Sequence, residues 1–276
     1  VRKLPPAPPV VFEDASLVAF DKPSGEWLPP KERGLTLVHR PDPAASGLLV
    51  FAKTKRALDF LSGQFQSKSV EQVYHAFCVA LPETAVGVGG PDVLGGESTA
   101  FEVDWWIGQD RESAAGSGRM KAFRRNGGQP ALSAFRVLER FGRSIFMECR
   151  PQSNRRHQLR VHLAAVGLPV LNDPVYGRAE ERLLLSSFKR NYKGGVRAGA
   201  GGAGGAGGAA AERALIEQLA LHASSLTLRH PESGEPLTLT APLPKAFEVA
   251  LRNLRKFAPR SGGGPTGPRR LGRAGM

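Results

Sequence analysis

Short apolar runs separated by turn-forming residues set the rhythm of the first half of the chain. Residues 10–12 and 17–20 are β-prone and flank Glu13-Asp14-Ala15-Ser16, the pattern of a tight hairpin. Lys22-Pro23-Ser24-Gly25 then breaks into a loop. Residues 48–52 read as a buried strand, and Thr54 reads as the N-cap of a helix with Ala57, Leu58, Leu61 and Phe65 on one face. Further strands are predicted over 73–81, 131–138 and 144–149, with an irregular basic stretch from Gly108 to Gly128 between the first two.

A helix capped by Ser153 is expected next, with Leu159, Leu163 and Val166 as its buried stripe and Gly167 as its stop. Residues 211–219 suit another helix. Residues 225–229 and 237–240 suit strands paired around Pro231-Glu232-Ser233-Gly234, and Phe247, Leu251 and Leu254 mark a last helix. Strands outnumber helices and do not alternate regularly with them. The predicted class is therefore α+β, a largely antiparallel mixed sheet flanked by helices. One folded unit is expected over 10–257. It is preceded by a proline-rich segment, 1–9, interrupted by a flexible Gly/Ala surface insertion at 194–211, and followed by a basic, disordered tail at 258–276.

Charge narrows the choice of partner. The 276 residues carry a net +13, and residues 251–276 hold seven Lys and Arg and no acid. Such a balance favours a polyanion, because each neutralised phosphate releases condensed counterions. An amphipathic membrane helix would need an apolar face where the tail has Gly and Pro, so no membrane partner is expected. No run approaches the roughly 20 apolar residues of a spanning helix, and no signal-peptide core opens the chain, so a cytoplasmic, monomeric protein is expected. Cys78 and Cys149 sit in apolar strands and read as buried thiols. His157 and His162 lack any accompanying Cys or carboxylate cluster, which argues against a metal site.

The specific signal is His39-Arg40-Pro41-Asp42-Pro43-Ala44-Ala45-Ser46-Gly47 with the apolar strand that follows. Four more segments come in order: residues 12–25 ending in Lys-Pro-Ser-Gly, Val73-Tyr74-His75-Ala76, Ser153-Asn154-Arg155-Arg156-His157-Gln158-Leu159-Arg160-Val161-His162, and Leu221-His222-Ala223 with His230-Pro231. Together these resemble the RluA-type pseudouridine synthases, and agreement of five ordered segments is far stronger than any one of them. The resemblance implies a pseudouridine-synthase catalytic domain that isomerises uridine in ribosomal or transfer RNA without a cofactor. It departs from the family pattern at Pro41 (Leu), Ala45 (Thr), Asn154 (Gly) and Asn172 (Gly), each of which is expected to shift the site's backbone.

The resemblance also implies roles. Asp42 falls on the family's catalytic carboxylate, Arg160 on its ion-pair partner, and Tyr74 on a Tyr that stacks on the uracil or helps to remove a proton. Taking a carboxylate out of water favours its neutral form, and a paired guanidinium keeps it ionised and oriented. On a continuous helix Arg155 lies about 140° from Arg160, so Arg155, with Arg40, is assigned to phosphates, and His157 to RNA contact. The target nucleotide must leave its stack to react. A noncatalytic RNA-binding or RNA-chaperone protein on the same fold is the alternative.

Overall fold

The computed structural model describes residues 7–25, 27, 34–81, 99–114, 118–178, 181–184, 214–258 and 269–271. The opening runs form a hairpin, β1 (Val10–Glu13) and β2 (Leu17–Lys22). Asp14 closes it by accepting the backbone N–H groups of Ser16 and Leu17 on Oδ1. A short β3 (Thr36–Leu37) precedes β4 (Ser46–Ala52), and α1 (Lys55–Gln66) begins at Thr54, whose side chain accepts the Ala57 N–H at 3.1 Å. Then come β5 (Glu71–Val79), β6 (Ala100–Asp104), the pair β7 (Trp106–Gln109) and β8 (Met120–Phe123), and the long neighbours β9 (Leu132–Phe141) and β10 (Ser144–Pro151). Helix α2 (Gln158–Ala165), strands β11 (Leu221–Arg229) and β12 (Pro236–Thr240), helix α3 (Lys245–Phe257) and β13 (Arg269–Leu271) complete the order.

Eleven strands make one mixed sheet in the order β1-β2-β4-β11-β5-β10-β9-β6-β13, with β12 on β11 and β3 on β4. Among the described residues only β4 with β11 and β6 with β13 pair in parallel. The α+β, largely antiparallel expectation therefore holds. Strands β2 and β4 are buried on both faces, which is why their sequences are continuous apolar runs. Leu17, Ala19, Leu48 and Val50 join the main core, and Val18, Phe20, Leu49 and Phe51 join a smaller cluster with Trp27.

The parallel contact between β4 and β11 is close. Gly47 sits opposite Ala223 with φ +104°, and a Cβ there would lie 2.2 Å from the Ala223 carbonyl oxygen. Strand β5 lies on the other side of β11, with Tyr74 opposite Ala223, and on its far side pairs Tyr74 with Cys149 near the end of β10. The loop entering β4, the start of β5 and the turn leaving β10 thus meet at one end of the sheet.

Four expectations from the sequence change. The stretch 108–128 is mostly taken up by a two-stranded antiparallel hairpin, β7 with β8, whose Ile107 packs with Ala131 and Val161. Helix α2 starts at Gln158, not after Ser153. The Ser153 hydroxyl accepts the Leu132 N–H and donates to Gln158 Oε1, so it is engaged at a strand end and caps nothing. Residues 214–219, the described part of the helix expected over 211–219, form no helix and run as irregular chain with bends at Leu215 and Gln218. Their backbone is bound from outside: Asn172 Nδ2 donates to the Ile216 carbonyl, Ala220 N–H donates to Leu171 and the Ala220 carbonyl accepts from Phe77. Finally, where a solvated tail is expected, residues 269–271 lie parallel to β6. The Gly/Ala tract 194–211 lies outside the described residues. Among those described, no helix is long and apolar enough to cross a membrane.

Three buried histidines tie this fold to pH. His39, His162 and His222 are each pushed down to about 4 by burial, while in an unfolded chain they titrate near ~6.5. Below that value the unfolded state binds more protons than the folded one, so stability present at neutral pH is lost as pH falls from about 6.5 toward 4. The slope is up to about 1.4 kcal/mol per pH unit for each histidine. Urea unfolding at pH 7 and pH 5 measures it, with a lower midpoint expected at pH 5; an unchanged midpoint would show these imidazoles to be free to ionise in the fold.

Candidate active site

All six residues singled out from the sequence, Asp42, Tyr74, Arg160, Arg40, Arg155 and His157, line a single cleft of about 530 Å³. Its centre is an ionic triad. Arg160, at 3% side-chain exposure, donates from Nη1 to Asp42 Oδ2 at 2.7 Å, and Asp42 is itself 10% exposed. The rest of the guanidinium is held bidentately by Asp173, which is fully buried: Nε to Oδ2 at 2.7 Å and Nη2 to Oδ1 at 2.6 Å. Burial by itself would weaken the guanidinium's hold on its proton, but the hydrogen bonds and charges of Asp173 and Asp42 outweigh it and raise the pKa.

Sequence reading named Arg160 and missed Asp173. The signal lies in Leu171-Asn172-Asp173-Pro174-Val175-Tyr176-Gly177, the segment that carries the Asn172 departure from the family pattern. Asp173 Oδ1 also accepts the N–H groups of Val175 and Tyr176, so one carboxylate fixes both a turn and the arginine. Gly177 closes that turn; a Cβ on it would approach the Asp173 carbonyl oxygen to 2.6 Å.

A second missed residue is Lys22. Its buried ammonium sits among the carbonyl oxygens of Pro23, Gly25, Pro43 and Ala45 at 2.6–3.0 Å, sharing its three N–H groups between them. It thereby ties the Lys-Pro-Ser-Gly loop to the loop bearing Asp42. Burial pushes its pKa down to about 8, with the Asp42 charge opposing. Within the Asp42 loop, Oδ1 accepts the Ala44 N–H at 3.0 Å and the Asp42 carbonyl accepts the Ala45 N–H. Ala45 contributes through its main chain: its N–H meets Asp42 and its carbonyl meets Lys22.

Tyr74 is buried beside this triad, and burial first, then the Asp42 charge, pushes its hydroxyl up to about 12. It keeps its proton at neutral pH. Arg40 is exposed at the mouth of the cleft. Arg155 lies in the turn before α2, with Nε donating to the Pro130 carbonyl at 3.2 Å. The helical phase between Arg155 and Arg160 therefore does not exist, although the two side chains do face different surroundings. His157 is half-buried, and its ring meets Tyr176, another residue the sequence reading left without a role. Among the described residues no three metal-ligating side chains cluster.

A largely buried carboxylate held by a clamped guanidinium, in a cleft edged by arginines, offers a fixed negative charge beside cations of the kind that attract a polyanion. The family model for RNA pseudouridylate synthase matches residues 9–165, more than half of the chain, and the chain belongs to that family. Within it the chain is of the RluA type. It is 29% identical over 273 residues to ribosomal large subunit pseudouridine synthase D of Neisseria meningitidis, covering 91% of this chain and 62% of that protein. It is 27% identical over 286 residues to ribosomal large subunit pseudouridine synthase C of Vibrio cholerae, covering 93% of this chain and 76% of that one. The fold matches human RNA pseudouridylate synthase domain containing 4 at a TM-score of 0.60 and 22% identity, over 89% of this chain and 92% of the other. The chain thus spans less than two thirds of the Neisseria relative.

Removing the clamp should cost more than removing a surface charge. Asp173→Asn keeps the side-chain shape but leaves the buried Arg160 short of one anion, and the expected loss is about 3–5 kcal/mol. Urea unfolding of the variant beside the wild type tests this, and matching midpoints would mean that Asp173 does not hold Arg160 as described.

Proposed function

We propose that the protein is an RNA pseudouridine synthase that converts uridine in ribosomal RNA to pseudouridine, with Asp42 as its catalytic carboxylate. The observation that carries this reading is the Asp42–Arg160–Asp173 triad, whose Asp42 and Arg160 line a cleft of about 530 Å³. Breaking the N1–C1′ bond, turning the uracil and joining C5 to C1′ is an isomerisation: the C5 hydrogen leaves as a proton and N1 gains one. It needs no redox partner. An ionised carboxylate beside the sugar acts as nucleophile or base in such a sequence, and Arg160 keeps Asp42 charged as water is expelled.

Tyr74, with its proton retained, stacks on the uracil in this reading rather than serving as a resting-state base. Arg40 and Arg155 meet phosphates and His157 meets the everted nucleotide. The names of the relatives point to large-subunit ribosomal RNA as the substrate, with transfer RNA the next choice. The reading implies a monomeric, cytoplasmic enzyme that works without a cofactor.

Transcripts of ribosomal and transfer RNA carrying tritium at uracil C5 test it. Wild-type protein should release tritium, and Asp42→Asn should lower the rate on the order of a thousandfold or more while binding the same RNA. RNA binding without tritium release by the folded wild type would make the protein a noncatalytic RNA binder, and equal release by the variant would remove Asp42 from the mechanism.

A further inference from the structure

His157 holds its backbone in the left-handed region, φ 54° and ψ 23°, at the residue that opens α2, and its side chain does not cap the helix. A non-glycine residue in that region carries a cost, which functional sites commonly retain for the direction it gives a side chain. Here the direction is into the cleft that holds Asp42. The ring is fixed by one hydrogen bond, between Nδ1 and the Tyr176 hydroxyl at 2.9 Å. It stands edge-on to the Tyr176 ring at 5.7 Å between centroids.

The direction of that hydrogen bond follows from its neighbour. The Met120 backbone N–H donates to the same Tyr176 oxygen at 2.9 Å. A backbone amide is only a donor, so it occupies an acceptor site of the phenol oxygen and leaves the hydroxyl hydrogen to be donated, and among the described residues His157 Nδ1 is the acceptor in reach. Burial raises the Tyr176 pKa, so the hydroxyl keeps that hydrogen. The guanidinium groups of Arg160 and Arg119, 5.2 and 5.5 Å from the ring centroid, strengthen it as a donor. Burial also lowers the His157 pKa, with Asp42 opposing and Arg160 and Arg156 assisting, so the imidazole is neutral near pH 7. A neutral ring that accepts on Nδ1 carries its hydrogen on Nε2.

Nε2 has no hydrogen-bond partner among the described residues and is not sealed from solvent. The site therefore holds a neutral, pre-oriented N–H donor whose ring is close enough to Asp42 and Arg160 to feel both charges. That is the interior of the cleft, whereas Arg40 sits exposed at its mouth. A phosphate would be met by the arginines, and the acceptors that an everted uracil brings inside are its two carbonyl oxygens.

Resting on the pseudouridine synthase reading above, we infer that His157 Nε2–H donates to a carbonyl of the everted uracil and orients the base for rejoining, and that Met120 and Tyr176 lock the imidazole in the required tautomer. Tyr176 is a positioning residue, since it acts through His157.

Two measurements test this. Long-range proton–nitrogen NMR on protein with ¹⁵N-labelled histidine needs no RNA. The signal of His157, identified by its loss in His157→Gln, should show an unprotonated Nδ1, and Tyr176→Phe should convert it to a tautomer mixture. A protonated Nδ1 in the wild type, or no response to Tyr176→Phe, overturns the lock. The second is tritium release from ribosomal RNA transcripts by His157→Gln and His157→Met, which have side chains of equal length and the same backbone cost but differ in the donor. The Met variant should lose on the order of tenfold in rate at saturating RNA with half-saturation nearly unchanged, and the Gln variant should retain most of the rate. Equal rates in the two variants, or a loss confined to RNA affinity, overturns the carbonyl contact. Absence of release by the wild type overturns the enzymatic reading itself, a result distinct from either.

Discussion

One buried guanidinium shared between two carboxylates organises this molecule. Arg160 spends Nε and Nη2 on Asp173 and Nη1 on Asp42, so the planar fork that binds one anion squarely also reaches the second. A lysine has neither the planarity nor the reach to do both. Buried ion pairs seldom add net stability, because desolvating the charges offsets most of their attraction. Such a triad is better understood as geometry held in place than as a source of stability. Every oxygen in it is used: Asp173 Oδ1 also takes the Val175 and Tyr176 amides, and Asp42 Oδ1 takes the Ala44 amide.

The backbone of the Asp42 loop is fixed with equal care from behind. Lys22 gathers carbonyls of both adjoining loops, and Ser24 Oγ donates to the Ala44 carbonyl. Pro41 and Pro43 bring no N–H groups that would need partners, and they narrow the conformations open to Asp42. This bears on the departure at Ala45. The loop contacts of that residue run through its N–H and carbonyl, so a hydroxyl at this position is not what holds the loop. The close parallel seam at Gly47 and Ala223 then passes the loop directly into the sheet.

The strands were legible because burial on both faces writes itself as unbroken apolar sequence, as in residues 17–20 and 48–52, and because turns such as 13–16 have their own residue chemistry. The nearness of Asp42 and Arg160 was legible only through resemblance, since no local pattern links a loop before β4 to a helix after β10. What failed to show was structure imposed from a distance. The start of α2 depends on Ser153 being occupied by Leu132 and Gln158, and the irregular course of 214–220 depends on Asn172, Leu171 and Phe77 taking its backbone groups. Local helix propensity in those segments is overridden by partners that a one-dimensional reading does not see.

Asn172 shows how a departure from a family pattern can preserve its physics. The position has φ 56°, which glycine adopts freely and which asparagine tolerates better than most side chains. Unlike glycine, asparagine brings an amide that donates to the Ile216 carbonyl at 2.6 Å and to the Gln218 carbonyl at 3.3 Å. The residue next to Asp173 therefore keeps the turn that presents the clamp to Arg160 and also pins the segment leading into β11. Two left-handed residues, His157 and Asn172, thus lie three positions before Arg160 and one before Asp173. At each, the side chain makes a hydrogen bond beyond its own turn, so the backbone cost is offset by contacts that orient the site.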